Sequence, residues 1–102
     1  MLGLVVRFDL KSGSGEAFDR LAEETLAKIR TEEPGTIIYG CHRLEGEPNA
    51  RVFYELYRDR EAFDAHEQQP HTRRFLTERE EHLVSTRVEF LSLNAGKGTP
   101  AT

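Results

Sequence analysis

The sequence predicts an α+β fold in which helices cover one face of a single antiparallel sheet. Three observations support this prediction. The chain has 102 residues, the size of one domain. Segments of alternating polarity, typical of strands, flank segments of helical periodicity, and glycine or proline separate them. The predicted element order is β-α-β-β-α-β, which is the order of the ferredoxin-like fold.

The first strand and the first helix are predicted from the amino-terminal third. Apolar side chains occupy every second position of residues 2–10, as in a strand with one apolar face. A helix is expected to follow Ser14, whose hydroxyl suits a helix cap, and to continue to about Glu33. Pro34 and Gly35 end it, because proline disfavours helical geometry in the preceding residue and glycine suits a turn.

The middle of the chain predicts an antiparallel hairpin. Residues 36–44 and 51–58 are rich in β-branched and aromatic side chains, and the turn is expected over residues 45–49. Apolar residues fall on both parities of the second of these strands, so both faces of the sheet need a cover. Helices cover one face of the sheet. The simplest cover for the other face is the same face of a second copy of the chain. We therefore expect a homodimer through sheet faces, a dimeric α+β barrel.

Two short helices and a last strand complete the predicted domain. Asp59 is expected to cap the first helix, and Pro70 interrupts it. The second helix begins near His71, at mixed three- and four-residue apolar spacings. Residues 85–93 again favour a strand, which would close the sheet.

Domain limits and cellular setting also follow from composition. The folded domain is predicted over residues 1–93, and the small polar residues 94–102 are expected to form a flexible tail. A net charge of −4 with both signs scattered predicts no nucleic-acid or membrane partner. The start lacks a basic leader, and the lone Cys41 suits a reducing compartment, so we expect a cytoplasmic protein.

Glu55, His66 and His71 are the candidate catalytic residues. If the face of the strand that carries Glu55 looks toward the helices, this carboxylate points at the segment with the two histidines. A carboxylate bonded to an imidazole fixes its tautomer, as a general base requires. The alternative is that Glu55 bonds the backbone or His71 at a buried join between sheet and helix, and that His66 is a packing residue beside Phe63. A metal site is disfavoured, because the spacing of the histidines across Pro70 is no recognised ligand pattern.

Four short segments of the chain recur in one order and spacing that is typical of a known family. The segments are Glu33-Pro34-Gly35-Thr36 with Tyr39, Phe53-Tyr54-Glu55-Leu56-Tyr57-Arg58-Asp59, Ala62-Phe63-Asp64-Ala65-His66, and Pro70-His71 followed by Phe75. Through their order and spacing the chain resembles the antibiotic biosynthesis monooxygenase domain family over about residues 2–93.

The resemblance implies a dimer with a cavity between sheet and helices in each subunit. It further implies oxidation of a quinol or phenolic small molecule by O2, with no metal, flavin or haem as cofactor. In this interpretation His66 or His71 accepts a proton from the substrate and Glu55 orients that histidine. The residues expected to bind the substrate are all aromatic: Tyr39, Phe53, Tyr57, Phe63 and Phe75.

The chain differs from the haem-degrading members of this family at the residues that those members use. Haem-degrading relatives use a tryptophan, a first-strand asparagine and a helical histidine. This chain has no tryptophan, has Val6 and Arg7 on its first strand, and has Leu76 about where the histidine would lie. Haem degradation is therefore disfavoured. Two alternatives stay open, a small isomerase or other proton-transfer enzyme and a non-catalytic ligand-binding dimer of the stress-response kind.

Overall fold

A computed structural model describes residues 1–99 of the chain. It contains four strands and three α-helices, and a short 3-10 helix lies between α3 and β4. The elements are β1 (Leu2–Leu10), α1 (Gly15–Glu32), β2 (Thr36–Leu44), β3 (Glu47–Tyr57), α2 (Arg60–Gln68), α3 (Pro70–Glu78), the 3-10 helix (Arg79–His82) and β4 (Leu83–Leu91). The predicted ferredoxin-like α+β class is confirmed.

The four strands form one antiparallel sheet in the order β2-β3-β1-β4. Register places Leu4 beside Glu55 on one side and beside Phe90 on the other, while Tyr39 lies on the far side of Glu55. Because side chains opposite each other in register share a face, these four residues form one row across the sheet. That row lies on the face toward the helices.

A cluster of phenylalanines forms the centre of the core between sheet and helices. Phe8 and Phe53 come from the sheet, Phe18 from α1 and Phe75 from α3, and all four are buried. The ring centroids of Phe8 and Phe53 lie 4.7 Å apart, and those of Phe8 and Phe18 lie 5.1 Å apart, within the range of favourable aromatic pairs. This cluster anchors α1 and α3 on the sheet.

The junction between α1 and β2 lies close against α2. A Cβ atom added to Gly35 would come within 2.6 Å of the Ala62 Cβ, so only glycine fits there without displacement. The backbone amide of Arg58 donates to the Gly35 carbonyl at 2.9 Å and ties the end of β3 to the same point. This close approach brings the carboxyl end of α1 beside the helix that carries His66.

The outer face of the sheet is mixed in character. Arg7 pairs with Asp9 and Glu47 at one end, at 3.1 Å and 2.8 Å. At the other end Tyr54 and Leu56 line an apolar hollow, together with residues of the segment 92–99. That segment contains no helix or strand. Part of the predicted tail therefore lies against the sheet, and residues 100–102 lie outside the described part of the chain.

Element boundaries differ from prediction at three places. The hairpin turn is shorter than residues 45–49, because Gly46 has a φ of 81° and lets β3 begin at Glu47. The last strand covers Leu83–Leu91 and not residues 85–93. Ser14 stands at the start of α1 without a side-chain cap, and its hydroxyl lies 3.2 Å from Nδ1 of His82 instead.

Asp59 caps α2 as predicted, since its side chain accepts a hydrogen bond from the Ala62 amide at 2.8 Å. Pro70 begins α3 at the first helical position, where the missing amide hydrogen costs nothing. Among residues 1–99, no helix is both long and apolar enough to cross a bilayer.

Candidate active site

A cavity of about 270 Å³ lies between the sheet and the helices, beside the phenylalanine cluster. Leu4 and Val6 form part of its floor, and Phe63 and Leu76 form part of its helical wall. Val88 and Phe90, on the edge strand β4, also line it and are 48% and 55% exposed. The cavity therefore opens at this edge of the sheet and is apolar along most of its surface.

Glu33 is the central polar residue of the site, and it directly follows α1. Its side chain is buried, and it accepts hydrogen bonds from three groups. His66 Nδ1 lies 2.7 Å from Oε1, the Thr36 hydroxyl also lies 2.7 Å from Oε1, and His71 Nε2 bonds to Oε2. Both carboxylate oxygens are thus occupied.

These bonds keep Glu33 ionised. Burial alone would raise the pKa of the carboxyl group, but the hydrogen bonds from His66, Thr36 and His71 outweigh it and lower the pKa to about 2. An ionised carboxylate only accepts hydrogen bonds. The facing nitrogens, Nδ1 of His66 and Nε2 of His71, must therefore each carry a hydrogen.

This arrangement sets the tautomer of His66. With the hydrogen on Nδ1, neutral His66 has its lone pair on Nε2. The ring is 4% exposed and lines the cavity. Tyr39 and Tyr57 flank the imidazole, with ring centroids 5.6 Å and 5.2 Å from it. Nε2 is thus the atom left for a molecule in the cavity, and Glu33 would stabilise the imidazolium formed when Nε2 takes a proton.

His71 occupies a different place from the one expected. It bonds to the far oxygen of Glu33 and is not among the residues that line the cavity. Pro70 starts α3 and places His71 in its first turn, at the back of the carboxylate. His71 can therefore position Glu33, whereas contact with a molecule in the cavity is open to His66.

Glu55 is not the carboxylate bonded to the histidines, which corrects the expected pairing. It accepts a hydrogen bond from the Tyr57 hydroxyl, two positions along the same strand face. Glu55 does line the cavity, and burial raises its pKa against the opposing effect of the Tyr57 bond. The correction has a simple cause: Glu33 reaches both imidazoles from the end of α1, while Glu55 points from the sheet toward Tyr57.

The predicted aromatic residues divide into two groups. Tyr39, Phe63 and Phe75 line the cavity. Phe53 and Tyr57 lie behind the wall and are fully buried in the core, which corrects their expected place. Burial raises the pKa of the Tyr39 phenol well above its usual value, so its hydroxyl stays a hydrogen-bond donor at neutral pH.

No group of three or more His, Cys, Asp and Glu side chains within residues 1–99 is arranged to hold a metal ion. His66 and His71 direct nitrogens at opposite oxygens of Glu33 and carry hydrogens on those nitrogens. These N–H groups donate to one carboxylate, so the two nitrogens do not point at a common position where a metal ion could bind. Their geometry suits proton transfer.

Two site residues were missed by sequence reasoning, Glu33 and Arg79. Glu33 belongs to the Glu33-Pro34-Gly35-Thr36 segment that supports the family resemblance, but its pattern indicated only a helix end. Arg79 stands among charged residues after α3 and lines the cavity with its guanidinium above the Phe8 ring, 5.4 Å from the centroid. Arg79 follows Phe75 by four residues, a helical spacing that could have predicted both side chains on one face.

Comparison with known proteins gives one family. The sequence profile of the antibiotic biosynthesis monooxygenases matches residues 1–78. An uncharacterized protein of Synechocystis is 34% identical over 67 residues, a stretch that covers 66% of this chain and 45% of that protein. The chain thus spans less than half the length of this curated relative.

Solved structures share the fold closely. PA3566 of Pseudomonas aeruginosa is 26% identical with a TM-score of 0.84, and the match covers 92% of this chain and 94% of that one. A proposed antibiotic biosynthesis monooxygenase of Caulobacter crescentus is 19% identical with a TM-score of 0.87, over 92% and 90% of the two chains. The second likeness shows the fold alone.

Proposed function

Since the chain belongs to the antibiotic biosynthesis monooxygenase family, we propose that it oxidises a quinol or related phenol with O2, with His66 as the proton acceptor. The observation that carries this proposal is the hydrogen bond from His66 Nδ1 to the ionised Glu33, at 2.7 Å, beside an apolar cavity. This bond leaves the lone pair of neutral His66 on Nε2, and His66 lines the cavity in which a substrate would bind.

The chemistry follows from the reactivity of phenols. A phenol reacts slowly with O2, while its anion is far richer in electrons and can pass one to O2. Removal of the hydroxyl proton by His66 would supply that anion. When a hydroquinone takes up one O2 and releases one water, the product is a hydroxyquinone. One oxygen atom thus enters the product, the other leaves as water, and the substrate supplies every electron.

Size and polarity of the cavity support a small aromatic substrate. A volume of about 270 Å³ suits one or two fused rings, and Phe63 and Phe75 offer ring faces and edges to it. Tyr39 can donate a hydrogen bond to a ring oxygen. Glu55 also lines the cavity, and its carboxyl group can accept a hydrogen bond from a second substrate oxygen.

We expect the purified protein to consume O2 when supplied with 1,4-dihydroxynaphthalene, above the rate of spontaneous oxidation in buffer. With ¹⁸O2, one labelled atom should appear in the product by mass spectrometry. O2 uptake that leaves the product without label would contradict monooxygenation. Turnover that persists in the absence of O2 would instead favour the alternative, a proton-transfer enzyme.

The outer face of the sheet is proposed to bind a second copy of the chain. Ile38, Leu91 and Leu93 are exposed there, at 37%, 39% and 50%. Leu91 and Leu93 line the hollow with Tyr54 and Leu56, and Ile38 lies beside Leu56 in register. Such a patch on a small domain suits a two-fold interface, because each subunit offers the same apolar surface to the other. Within residues 1–99, each subunit has its own His66, Glu33 and cavity.

A charged residue in this patch should dissociate the dimer. We expect twice the monomer mass for the wild-type protein in sedimentation equilibrium, and the monomer mass for Ile38→Glu, because association would bury an unpaired carboxylate. Thr31→Glu, on the exposed side of α1, adds the same charge and should stay dimeric. A monomeric wild-type protein, or dimeric Ile38→Glu, would contradict the assignment of this face.

A further inference from the structure

Arg79 lines the cavity without a protein partner for its charge. Within residues 1–99, no carboxylate forms an ion pair with it, and its Nε is buried without a hydrogen-bond acceptor. Phe8 and Phe75 lie under the guanidinium, 5.4 Å and 5.6 Å from ring centroid to Cζ. Buried polar groups of folded proteins are almost always paired, so an unpaired guanidinium beside a cavity requires an explanation.

We propose that Arg79 binds an anionic oxygen on the aromatic substrate, the phenolate that remains after His66 has removed the proton. The inference deepens the proposed function and rests on it. Among the lining residues of the described chain, Arg79 is the one lysine or arginine, and it shares the cavity with His66 and Tyr39. The cavity thus offers a base for the proton and a cation for the anion left behind.

The cation is needed because the cavity is mostly apolar. An oxyanion formed there is destabilised unless a fixed positive charge or donors face it. A guanidinium presents several donors in a plane and keeps its charge at any physiological pH. The cation–π contacts with Phe8 and Phe75 use none of the N–H groups of the guanidinium in hydrogen bonds to oxygen, so these donors remain free for a ligand.

Other charged groups near Arg79 are compatible with this role. Glu55, Glu67, Glu80 and the Tyr39 phenol are the acidic groups that act on it. Glu80 lies at the exposed surface, and Glu67 is half-buried and lines the cavity. Tyr39 is neutral, and Glu55 is buried with a raised pKa. Each acidic group remains too far away to pair with Arg79, which leaves its donors open to a ligand.

Binding of 4-nitrophenol tests the inference without any turnover. Its anion absorbs visible light, and 4-nitroanisole is a neutral molecule of similar shape. We expect the wild-type protein to bind the nitrophenolate at least tenfold more tightly than the anisole and to lower the pH at which bound 4-nitrophenol ionises. Arg79→Gln should lose both effects but still bind 4-nitroanisole, which also shows that its cavity is intact.

Three further variants test whether the preference for the anion depends on the charge of Arg79, on the base His66, or on the loss of any arginine. Arg73→Gln, on the exposed side of α3, should retain the preference for the anion. Arg79→Lys should retain part of it, because the charge is kept and the planar donor group is lost. His66→Gln should also retain it, since an anion formed in solution needs no base. Equal binding of anion and anisole by the wild-type protein, or an unchanged preference in Arg79→Gln, would overturn the inference.

The two proposals fail in different ways. If no oxygen is consumed but the preference for nitrophenolate depends on Arg79, the oxidation is rejected and the anion site stands. If oxygen is consumed and Arg79→Gln binds the two probes as the wild-type protein does, the anion site is rejected and the oxidation stands.

Discussion

Replacement of His66 by glutamine is expected to lower kcat/KM for quinol oxidation by about two to three orders of magnitude, the usual contribution of a positioned general base. Glutamine resembles histidine in size and can still donate to Glu33, but it has no basic nitrogen. The loss should therefore appear in turnover and not in folding. Oxygen uptake with 1,4-dihydroxynaphthalene measures the first, and thermal unfolding measures the second.

His42→Gln is the matched control for this experiment. His42 lies exposed on the edge strand β2 with its ring against the Val52 carbonyl at 3.1 Å, away from the cavity. It should turn over like the wild-type protein. Wild-type turnover by His66→Gln, or an equal loss in both variants, would remove His66 from the mechanism. A loss in His66→Gln alone, with unchanged melting temperature, supports its role as base.

Replacement of Glu33 by glutamine is expected to destabilise the protein by about 3 kcal/mol at neutral pH. The pKa of Glu33 falls from its usual 4.5 to about 2 in the folded chain, and each unit of difference corresponds to about 1.4 kcal/mol. Since the folded pKa is lowered, this stabilisation is complete above about pH 4.5. It is lost as the pH falls from there toward about 2.

Chemical denaturation at a series of pH values measures this effect. The difference in free energy of unfolding between wild type and Glu33→Gln should be largest at neutral pH and should shrink as the pH falls below about 4.5. Glu32→Gln, one position earlier and exposed, should follow the wild-type curve. Parallel curves for wild type and Glu33→Gln would show that His66, His71 and Thr36 do not stabilise the carboxylate.

Glu33→Gln also tests the catalytic arrangement. A glutamine could accept from only one of the two imidazoles with its single oxygen, so the tautomer of His66 would no longer be set by a negative charge. We therefore expect kcat/KM of the Glu33→Gln variant to fall, as expected for His66→Gln. The two effects of Glu33 have one cause, because the bonds that lower its pKa are the bonds that hold His66.

His66 was one of the candidate residues named from the sequence, whereas Glu33, the carboxylate bonded to it, was not. The family-like Ala62-Phe63-Asp64-Ala65-His66 segment pointed to His66, because a histidine beside Phe63 on a short helix suggests by itself only packing. The choice of Glu55 as partner rested on strand alternation, which correctly places Glu55 on the inner face of β3. Alternation gives the face of a side chain but not its nearest neighbour, and Tyr57 on the same face takes the bond.

Distinguishing a lining residue from a core residue was also beyond the sequence. Phe53, Phe63 and Phe75 have the same side chain and all point between sheet and helices. Phe53 is at the centre of the sheet and is enclosed by the phenylalanine cluster, while Phe63 lies near the open edge by Phe90. Packing in three dimensions decides that Phe63 and Phe75 border the cavity and Phe53 does not, and periodicity carries no such information.

Element order, the apolar inner face and the capping of α2 follow from the sequence, because strand alternation, helical spacing and caps depend on residues near each other in the chain. Which side chains meet across the core depends on how the elements pack. Glu33 and His66 are 33 positions apart, and they are joined because Gly35 lets the end of α1 lie against Ala62. The environment of Arg79 is likewise a result of packing, because Phe8 and Phe75 lie against its guanidinium beside the cavity and, within residues 1–99, no carboxylate pairs with it.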